Sequence, residues 1–472
     1  MGDSGAKPNA KRGRAPTLKR ICRSIFRKSR VKSALHELKL ARNAKFRFLV
    51  CMKTLSYWRD TFPCEATTTN MLPAHCDVAI IGGGLTGLST ALHTAKSGAA
   101  VVLLEQEKIG WGASTRNAGM ALTGLKLAPE ELVKRYGRER ARKFYRASLD
   151  ALAFVQSLIE QEQIACDFYR CGDLCVAYRP SHYDGLIASQ KFLREEFEHH
   201  TQLVPAAELA RELGSKVYHG GLIDPLSAGL NPAKLVAGLA RCAQVAGVHL
   251  FEATPVEECH RGQSGFELKT PRGLLRAKEV VVATNGYTPA ALRHLRRRII
   301  PVGSYIIVTE PLGRGLAEEL LPAKRMVYDT KNFLFYFRRT PDDRLLFGGR
   351  TSFTPMSDRE AARILRADLL SVFPQLAATN IDYAWHGTIG FTFDQMPHLG
   401  EQHGLHYAMG YGGHGVVMSV YFGYWLAQKL GGANTDDFPF FELPMPARFF
   451  YRKRPWFLPL AGAYYRVLDR LF

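Results

Sequence analysis

Residues 77–105 read DVAIIGGGLTGLSTALHTAKSGAAVVLLE, a stretch that few folds can accommodate. The apolar run 78–81 has the length of a buried strand and leads into Gly82, Gly84 and Gly87, at the G-x-G-x-x-G spacing of a dinucleotide-binding turn. Residues 85–96 then keep their apolar side chains on one helical face and stop ahead of Gly98, and residues 100–104 make a second apolar strand that closes on Glu105. Strand, turn, helix, strand and acid in that order predict a whole βαβ unit. Gly82 makes the turn, Gly84 has no Cβ to hold a pyrophosphate away from the main chain, and Gly87 lets helix and strand pack closely. A phosphate would meet unpaired N–H groups at the helix start. Glu105 is placed to accept both ribose hydroxyls of an adenosine, and its charge would repel a 2′-phosphate, which disfavours NADP.

At 472 residues the chain exceeds one ordinary core, and two or three domains are expected. No uninterrupted apolar run is long enough for a membrane-spanning helix. The net charge of +20 suggests a nucleic-acid binder until it is located: residues 1–50 hold fifteen Lys and Arg against Asp3 and Glu37, or +13 of the +20. That segment lacks the apolar core of a secretory signal and reads as a transit peptide, a solvated basic arm, or the product of a start assigned ahead of Met52. Its aromatics do not follow an RNA-binding pattern, so nucleic acid is not expected as a partner. Nine cysteines, an odd number without a C-x-x-C pair, argue against a disulfide framework and a zinc site, and no metal is expected. A reducing, cytoplasmic location fits best. Cys171 and Cys175, on either side of Asp173, read as packing residues.

Residues 106–124 form a small-residue loop around Ser114, Arg116 and Asn117, open enough for a ligand to approach the backbone. Amphipathic helices are predicted over 130–163 and 182–199, a strand over 168–178, and a helix over 231–246 with Asn231 as cap and Pro232 in its first turn. The pair His199 and His200 has no acid or cysteine at ligand spacing and reads as surface. A strand over 248–252 and a hairpin over 266–275 lead to VVVATNGYTP, an apolar strand ending in a small polar turn, where a doubly wound sheet places ligand contacts. Residues 299–310, 333–339 and 344–351 predict an antiparallel sheet. Within it Phe333, Phe335 and Phe337 share one face, opposite Leu334, Tyr336 and Arg338, so one face is core and the other looks into a cavity. A helix follows over 358–370, and the stretch from Tyr383 reads as loops. GYGGHGVVMSVYFGYWLAQKLGG then sets Gly412, Gly413, His414 and Gly415 ahead of a long apolar helix.

Four motifs in this order, AIIGGGLTG with Glu105, GASTRNAG, VVVATNGY and GYGGHG, resemble the FAD-dependent D-amino-acid oxidase superfamily. The likeness runs from about residue 55 to 472 and is closest to the γ-glutamylputrescine oxidase-like branch, including the SYWRDT start and the PWFLPLAGAYYRVLDRL ending. It implies an α/β plus α+β fold: a discontinuous Rossmann-like FAD domain with an inserted antiparallel-sheet substrate domain. The corresponding segments are a basic extension 1–51, FAD-domain pieces 52–168, 227–298 and 381–447, substrate-domain pieces 169–226 and 299–380, and a basic aromatic end 448–472. The resemblance further implies that Gly82, Gly84, Leu85, Thr86, Gly87 and Glu105 hold the ADP moiety. Val256 would lie near the adenine. Ser114, Ala283, Thr284 and Gly286 would complete the nucleotide site, Arg116 and Asn117 would join it or else only stabilise their own loop, and Gly412, Gly413 and Gly415 would approach the flavin. The cysteine that carries covalent flavin in sarcosine oxidases would fall near Gly387, so FAD is expected to be non-covalent here. Their substrate-binding lysine is replaced by Val417, which disfavours sarcosine.

With one nucleotide fingerprint and no redox cysteine pair, electrons must come from a substrate lying against the flavin. Removal of hydride from a carbon bearing an amine suits that geometry, because the nitrogen lone pair stabilises the developing cation. The expected reaction is oxidation of an amine or amino acid to an imine, with oxygen as acceptor and hydrogen peroxide as product. The alternative is a dehydrogenase that passes electrons to a quinone or carrier protein. The reacting amine must be neutral, so an apolar pocket helps and no acid or base is obligatory. His414 is expected at the flavin, orienting rather than acting as an essential base. Residues 448–472 mix aromatics with cations and read either as a tail folded over its own domain or as a contact with a membrane surface or partner subunit.

Overall fold

A computed structural model of the protein describes residues 1–2, 51–63, 71–349, 356–452 and 455–471. Met1–Cys51 and Met52–Phe472 are separate units, and the readings of residues 3–50 lie outside the described residues. The second unit carries two eight-stranded sheets.

The first sheet is built around His75–Ile81, whose parallel neighbours are Val101–Leu104 on one side and Gly273–Val282 on the other. Ile80, Leu103 and Val281 are wholly buried, which is why these strands read as continuous apolar runs rather than alternating ones. His249–Phe251 extends the parallel part beyond Val101–Leu104. The long strand Gly273–Val282 serves two neighbours along its other edge: its first half pairs with Gly265–Thr270, and its last three residues with Leu405–Met409. Leu85–Lys96 covers one face and packs on Gly415–Leu430. That crossing is tight because Gly423 has no side chain: a Cβ there would stand 2.6 Å from Thr86 O. Ser89 Oγ donates to Val420 O at 2.6 Å across the same contact. The cap assignment on Pro232–Val245 holds, with Asn231 accepting from the N–H groups of Ala233 and Lys234.

The second sheet runs in the order Ile381–Phe391, Ile300–Thr309, Leu345–Gly349, Phe335–Arg339, Met326–Asp329, Asp173–Val176, Gly220–Asp224, Gln202–Pro205. All its pairs are antiparallel except Met326–Asp329 with Asp173–Val176. Two expectations need correction. Residues 381–391, read as loop from Tyr383, form a strand paired along its length with Ile300–Thr309, so the chain leaves this sheet after Phe391 rather than at residue 380. The glycines that suggested a loop are there because neighbours come close: a Cβ at Gly390 would lie 2.1 Å from Asn285 Oδ1, and one at Gly387 3.2 Å from Arg116 Cβ. His199 is buried rather than on the surface, its Nε2 2.8 Å from Asp224 Oδ2.

Arg338 joins the two halves. It is 1% exposed, and its Nη1 donates to the carbonyls of Gly119 at 2.7 Å, Leu230 at 2.9 Å and Ala118 at 3.2 Å. The end of the chain folds back over its own domain: Tyr451 Oη donates to Ile299 O at 2.8 Å, and Tyr451 packs with Ile300, Val302 and Leu458.

Candidate active site

The turn after His75–Ile81 has the form its glycines require. Gly82 sits at φ +110°, where a Cβ would also come within 2.9 Å of Ala283 O. At Gly84, which opens the helix Leu85–Lys96, a Cβ would meet Ser114 Oγ at 2.7 Å. That hydroxyl accepts from Leu85 N–H at 3.0 Å, so the loop after the second strand caps the first helix. Glu105 points back into the turn: Oε2 accepts from Gly83 N at 2.7 Å and Oε1 from Glu107 N at 2.9 Å. Burial raises its pKa, and the two backbone donors pull the other way by favouring the carboxylate.

The loop beyond Glu105 is held rigid through five successive carbonyls. Ser56 Oγ donates to Thr115 O at 2.7 Å, Trp385 Nε1 to Arg116 O at 3.0 Å, and Trp58 Nε1 to Asn117 O at 2.9 Å. Arg338 takes the carbonyls of Ala118 and Gly119. Asn117 turns its side chain inward as a staple, donating to Ala113 O and Ser114 O and accepting from Gly119 N. The Arg116 guanidinium lies 4.1 Å over the ring of Trp111.

These pieces line one cavity of about 610 Å³. Its wall includes Gly82, Gly84, Leu85, Thr86, Glu105, Ser114, Arg116, Asn117, Val256, Ala283, Thr284, Gly412, Gly413, His414 and Gly415. Gly87 and Gly286 stand outside that wall. Gly87 lies against the turn itself, where a Cβ would be 1.9 Å from Gly82 O, and Gly286 is tucked behind Ile381–Phe391, 3.0 Å from Thr388 Cγ2 by the same measure. Asn285, its neighbour, lines the cavity instead and accepts from Gly410 N at 3.0 Å.

The far end of the cavity is made by the second sheet: Ser304, Tyr328, Leu334, Tyr336, Thr388 and Ile389. The alternation over 333–339 predicts a core face and a cavity face without saying which is which; the cavity side carries Leu334 and Tyr336, with Ser304 Oγ 2.9 Å from Tyr336 Oη. Tyr328, Thr388 and Ser304 are invisible in the sequence because only the strand register brings them together. Lys126, also missed, comes from the loop after Met120–Ala121 and lies against Gly412. His414 precedes the helix Gly415–Leu430, and its Nδ1 is buried with no partner in the protein. Burial and then the charge of Lys126 push its pKa down to about 4, so its imidazole is neutral at physiological pH. Val417 is 1% exposed and packs in the core, away from the cavity.

Behind Tyr328 lies a buried polar cluster. Asp173 accepts from Ser227 Oγ at 2.6 Å, while burial and the charge of Asp224 raise its carboxyl far above the usual carboxylate range. Burial opposes ionisation of Asp224 as well, but bonds from His199 and Thr123 outweigh it and hold its pKa low. Among the described residues no three of His, Cys, Asp and Glu gather as a metal would need.

A flavin dinucleotide fits this arrangement. The glycine cradles at Gly82 and Gly84 leave backbone exposed, the Glu105 carboxylate faces the cavity, and the orphaned His414 Nδ1 and the unpartnered Ser419 Oγ belong to residues that line it too. In sequence the chain is 34% identical over 403 residues to gamma-glutamylputrescine oxidoreductase of Escherichia coli, covering 84% of this chain and 93% of that protein. It is likewise 34% identical over 403 residues to the probable oxidoreductase OrdL of Haemophilus influenzae, covering 84% and 92%. In structure it is similar to glycine oxidase from Geobacillus kaustophilus, with a TM-score of 0.66 at 23% identity over 80% of this chain and 99% of that one. An L-proline dehydrogenase from P. horikoshii gives a TM-score of 0.62 at 21% identity, covering 78% and 98%. At that identity the two structures speak for the fold. The span 77–429, which opens at the first strand of the nucleotide sheet and closes in the helix after the GYGGHG turn, matches the DAO family of FAD dependent oxidoreductases, and the chain belongs to that family, with FAD as its cofactor.

Proposed function

We propose that the protein oxidises a small primary or secondary amine or amino acid at its CH–NH bond, giving an imine and hydrogen peroxide. The observation that carries this reading is the single cavity joining the dinucleotide turn to the inner face of the second sheet, which lets a substrate lie directly against the flavin. Bound FAD supplies the two-electron acceptor. The protein's own part is to select and orient the neutral amine. Leu334, Ile389 and the hydroxyls of Ser304, Tyr328 and Tyr336 give an uncharged surface that disfavours an ammonium. As hydride leaves carbon, the nitrogen lone pair closes the C=N bond and the nitrogen proton passes to water. Oxygen takes the two electrons with two protons, and the imine hydrolyses to a carbonyl compound. Lys126 puts a cation at this end of the cavity, which favours an acceptor that becomes anionic as it is reduced, as oxygen does. Seven free cysteines among the described residues support a reducing, cytoplasmic setting.

The test mixes the yellow protein anaerobically with a panel holding γ-glutamylputrescine, putrescine, glycine, sarcosine and D-amino acids, then admits air. Bleaching by one or more amines, followed by rapid return of the oxidised spectrum and peroxide, is the expected result. Reduced flavin that persists in air until a quinone is added would replace oxygen by a quinone or carrier protein as acceptor; no bleaching by any amine would remove the proposal. Sarcosine should be a poor substrate. No described cysteine lines the cavity, so acid precipitation should leave the flavin in the supernatant, and colour in the pellet would reject non-covalent binding.

His414 gives a pH prediction. Its folded-state pKa of about 4 lies below the ordinary 6.5, so the unfolded chain binds more protons between those values and His414 lowers stability as pH falls through that window. Above it the imidazole stays neutral and should contribute no limb to the rate of flavin reduction, which should rise with pH as the substrate ammonium deprotonates. His414→Asn should therefore keep the profile's shape while lowering the rate. Loss of all turnover with flavin still bound would make His414 essential.

A further inference from the structure

The last helix, Leu458–Leu471, has two apolar faces. Leu458 and Gly462 are buried, with Tyr465 and Leu468 half-buried on the same side, against the body of the protein. On the other side Leu460, Tyr464, Val467 and Leu471 recur at spacings of four, three and four, one stripe along the helix, and are 52–68% exposed. Trp456 stands just ahead of the helix and continues the stripe, and Phe449 projects from the preceding loop. Single exposed apolar residues are ordinary on a soluble protein, but a row of large ones at helical spacing is a contact surface.

The helix is anchored in this orientation. Asp469 accepts from Asn332 N at 2.8 Å, Asn332 Nδ2 at 2.9 Å and Phe333 N at 2.9 Å, and Arg179 Nη2 donates to its carbonyl at 2.9 Å. These bonds also settle the charge. Asp469 is the single acid in residues 448–472, and it faces inward, whereas the segment holds six Lys and Arg. Arg448, Arg452 and Arg466 are exposed. Tyr451 sits within the field of Arg296, in the basic run RHLRRR at residues 293–298, where Arg293 and Arg297 are exposed too. The segment that carries the apolar stripe thus also carries exposed cations, and its one acid is taken up by inward bonds.

We infer that this face docks on an anionic membrane surface, with the stripe at the boundary of headgroups and acyl chains and the arginines on lipid phosphates. Trp456 and Tyr464, apolar rings with polar tips, suit that depth. Fourteen residues are too few to cross a bilayer, and no helix among the described residues is long and apolar enough to do so; the helix lies in the plane. A second copy of the chain is the poorer occupant, because a two-fold contact would set the same arginines against one another.

Full-length, flavin-loaded protein should cosediment with phosphatidylcholine–phosphatidylglycerol vesicles and hardly with phosphatidylcholine alone. Residues 1–50 could hold any variant on anionic lipid electrostatically, so binding is read at raised salt, where that attraction is screened, and by quenching of Trp456 with brominated acyl chains. A quench that disappears in Trp456→Phe is expected. Leu460→Ser/Tyr464→Ser should weaken vesicle binding at least about tenfold with flavin content unchanged. Should that variant lose flavin, Arg452→Glu, which alters an exposed side chain, should still weaken binding. Equal binding by these variants and the parent, or no quench of Trp456, would overturn the inference. So would a dimer that the double variant dissociates, which would make the stripe a subunit contact.

Discussion

Glu105→Ala should weaken FAD binding about ten- to a hundredfold, the loss of roughly 1.5–3 kcal/mol attached to a charge-assisted hydrogen bond. The carboxylate does two things in the structure. It faces the cavity where the adenosine ribose is expected, and it accepts from Gly83 N and Glu107 N, so it also fixes the turn whose backbone meets the pyrophosphate. Glu105→Gln separates the two contributions: one amide oxygen can still take Gly83 N–H, while the amide nitrogen confronts Glu107 N–H, and affinity should fall between parent and Ala variant. Titration of apoprotein with FAD, followed by flavin fluorescence, measures both. Parent-like affinity in Glu105→Ala would show that the acid only ties the strand end to the turn.

Arg338→Leu should destabilise the folded unit by about 3 kcal/mol or more, because it takes the guanidinium donor from the buried carbonyls of Ala118 and Leu230 and leaves Gly119 O with only the Leu230 N–H. A lower urea midpoint is the direct measure. Flavin content should drop as well, since two of those carbonyls belong to the loop that lines the cavity. Arg338→Lys should be intermediate at best: an ammonium keeps the charge but loses the bonds that Nε and Nη2 donate to Arg339 O and Tyr169 Oη. If Arg338→Leu unfolds at the parent's midpoint, the arginine carries no weight in joining the sheets.

Local signals read well from the sequence where one segment supplies all the physics. The βαβ unit is such a case, and the helix Leu85–Lys96 falls on the residues its periodicity marks. Asn231 is another, since a cap needs only the two N–H groups that follow it. The alternation around Tyr336 marks two unlike faces for the same reason, but which of them meets the cavity depends on the rest of the fold. What failed depends on partners distant in the chain. His199 looks like a surface residue until Asp224 folds beneath it, and the glycines at 387 and 390 look like a loop until Arg116 and Asn285 are seen pressing on the strand. Lys126 carries no motif at all; only the placement of Gly412 beside it brings it to the cavity.

The strand Gly273–Val282 lies between His75–Ile81 and Leu405–Met409, partners that stand at opposite ends of the described fold in chain order. During synthesis the nucleotide sheet therefore cannot close until the ribosome has delivered Met409 and the helix that follows it. The glycine turn is made early but has to wait, beside an unpaired strand edge, for most of the chain to emerge. Contacts so far apart in sequence fold slowly and expose sticky edges meanwhile. Free FAD cannot rescue a nascent chain that lacks the residues from Leu405 onward, so stalled or truncated products should be degraded as apoprotein rather than accumulate as yellow fragments.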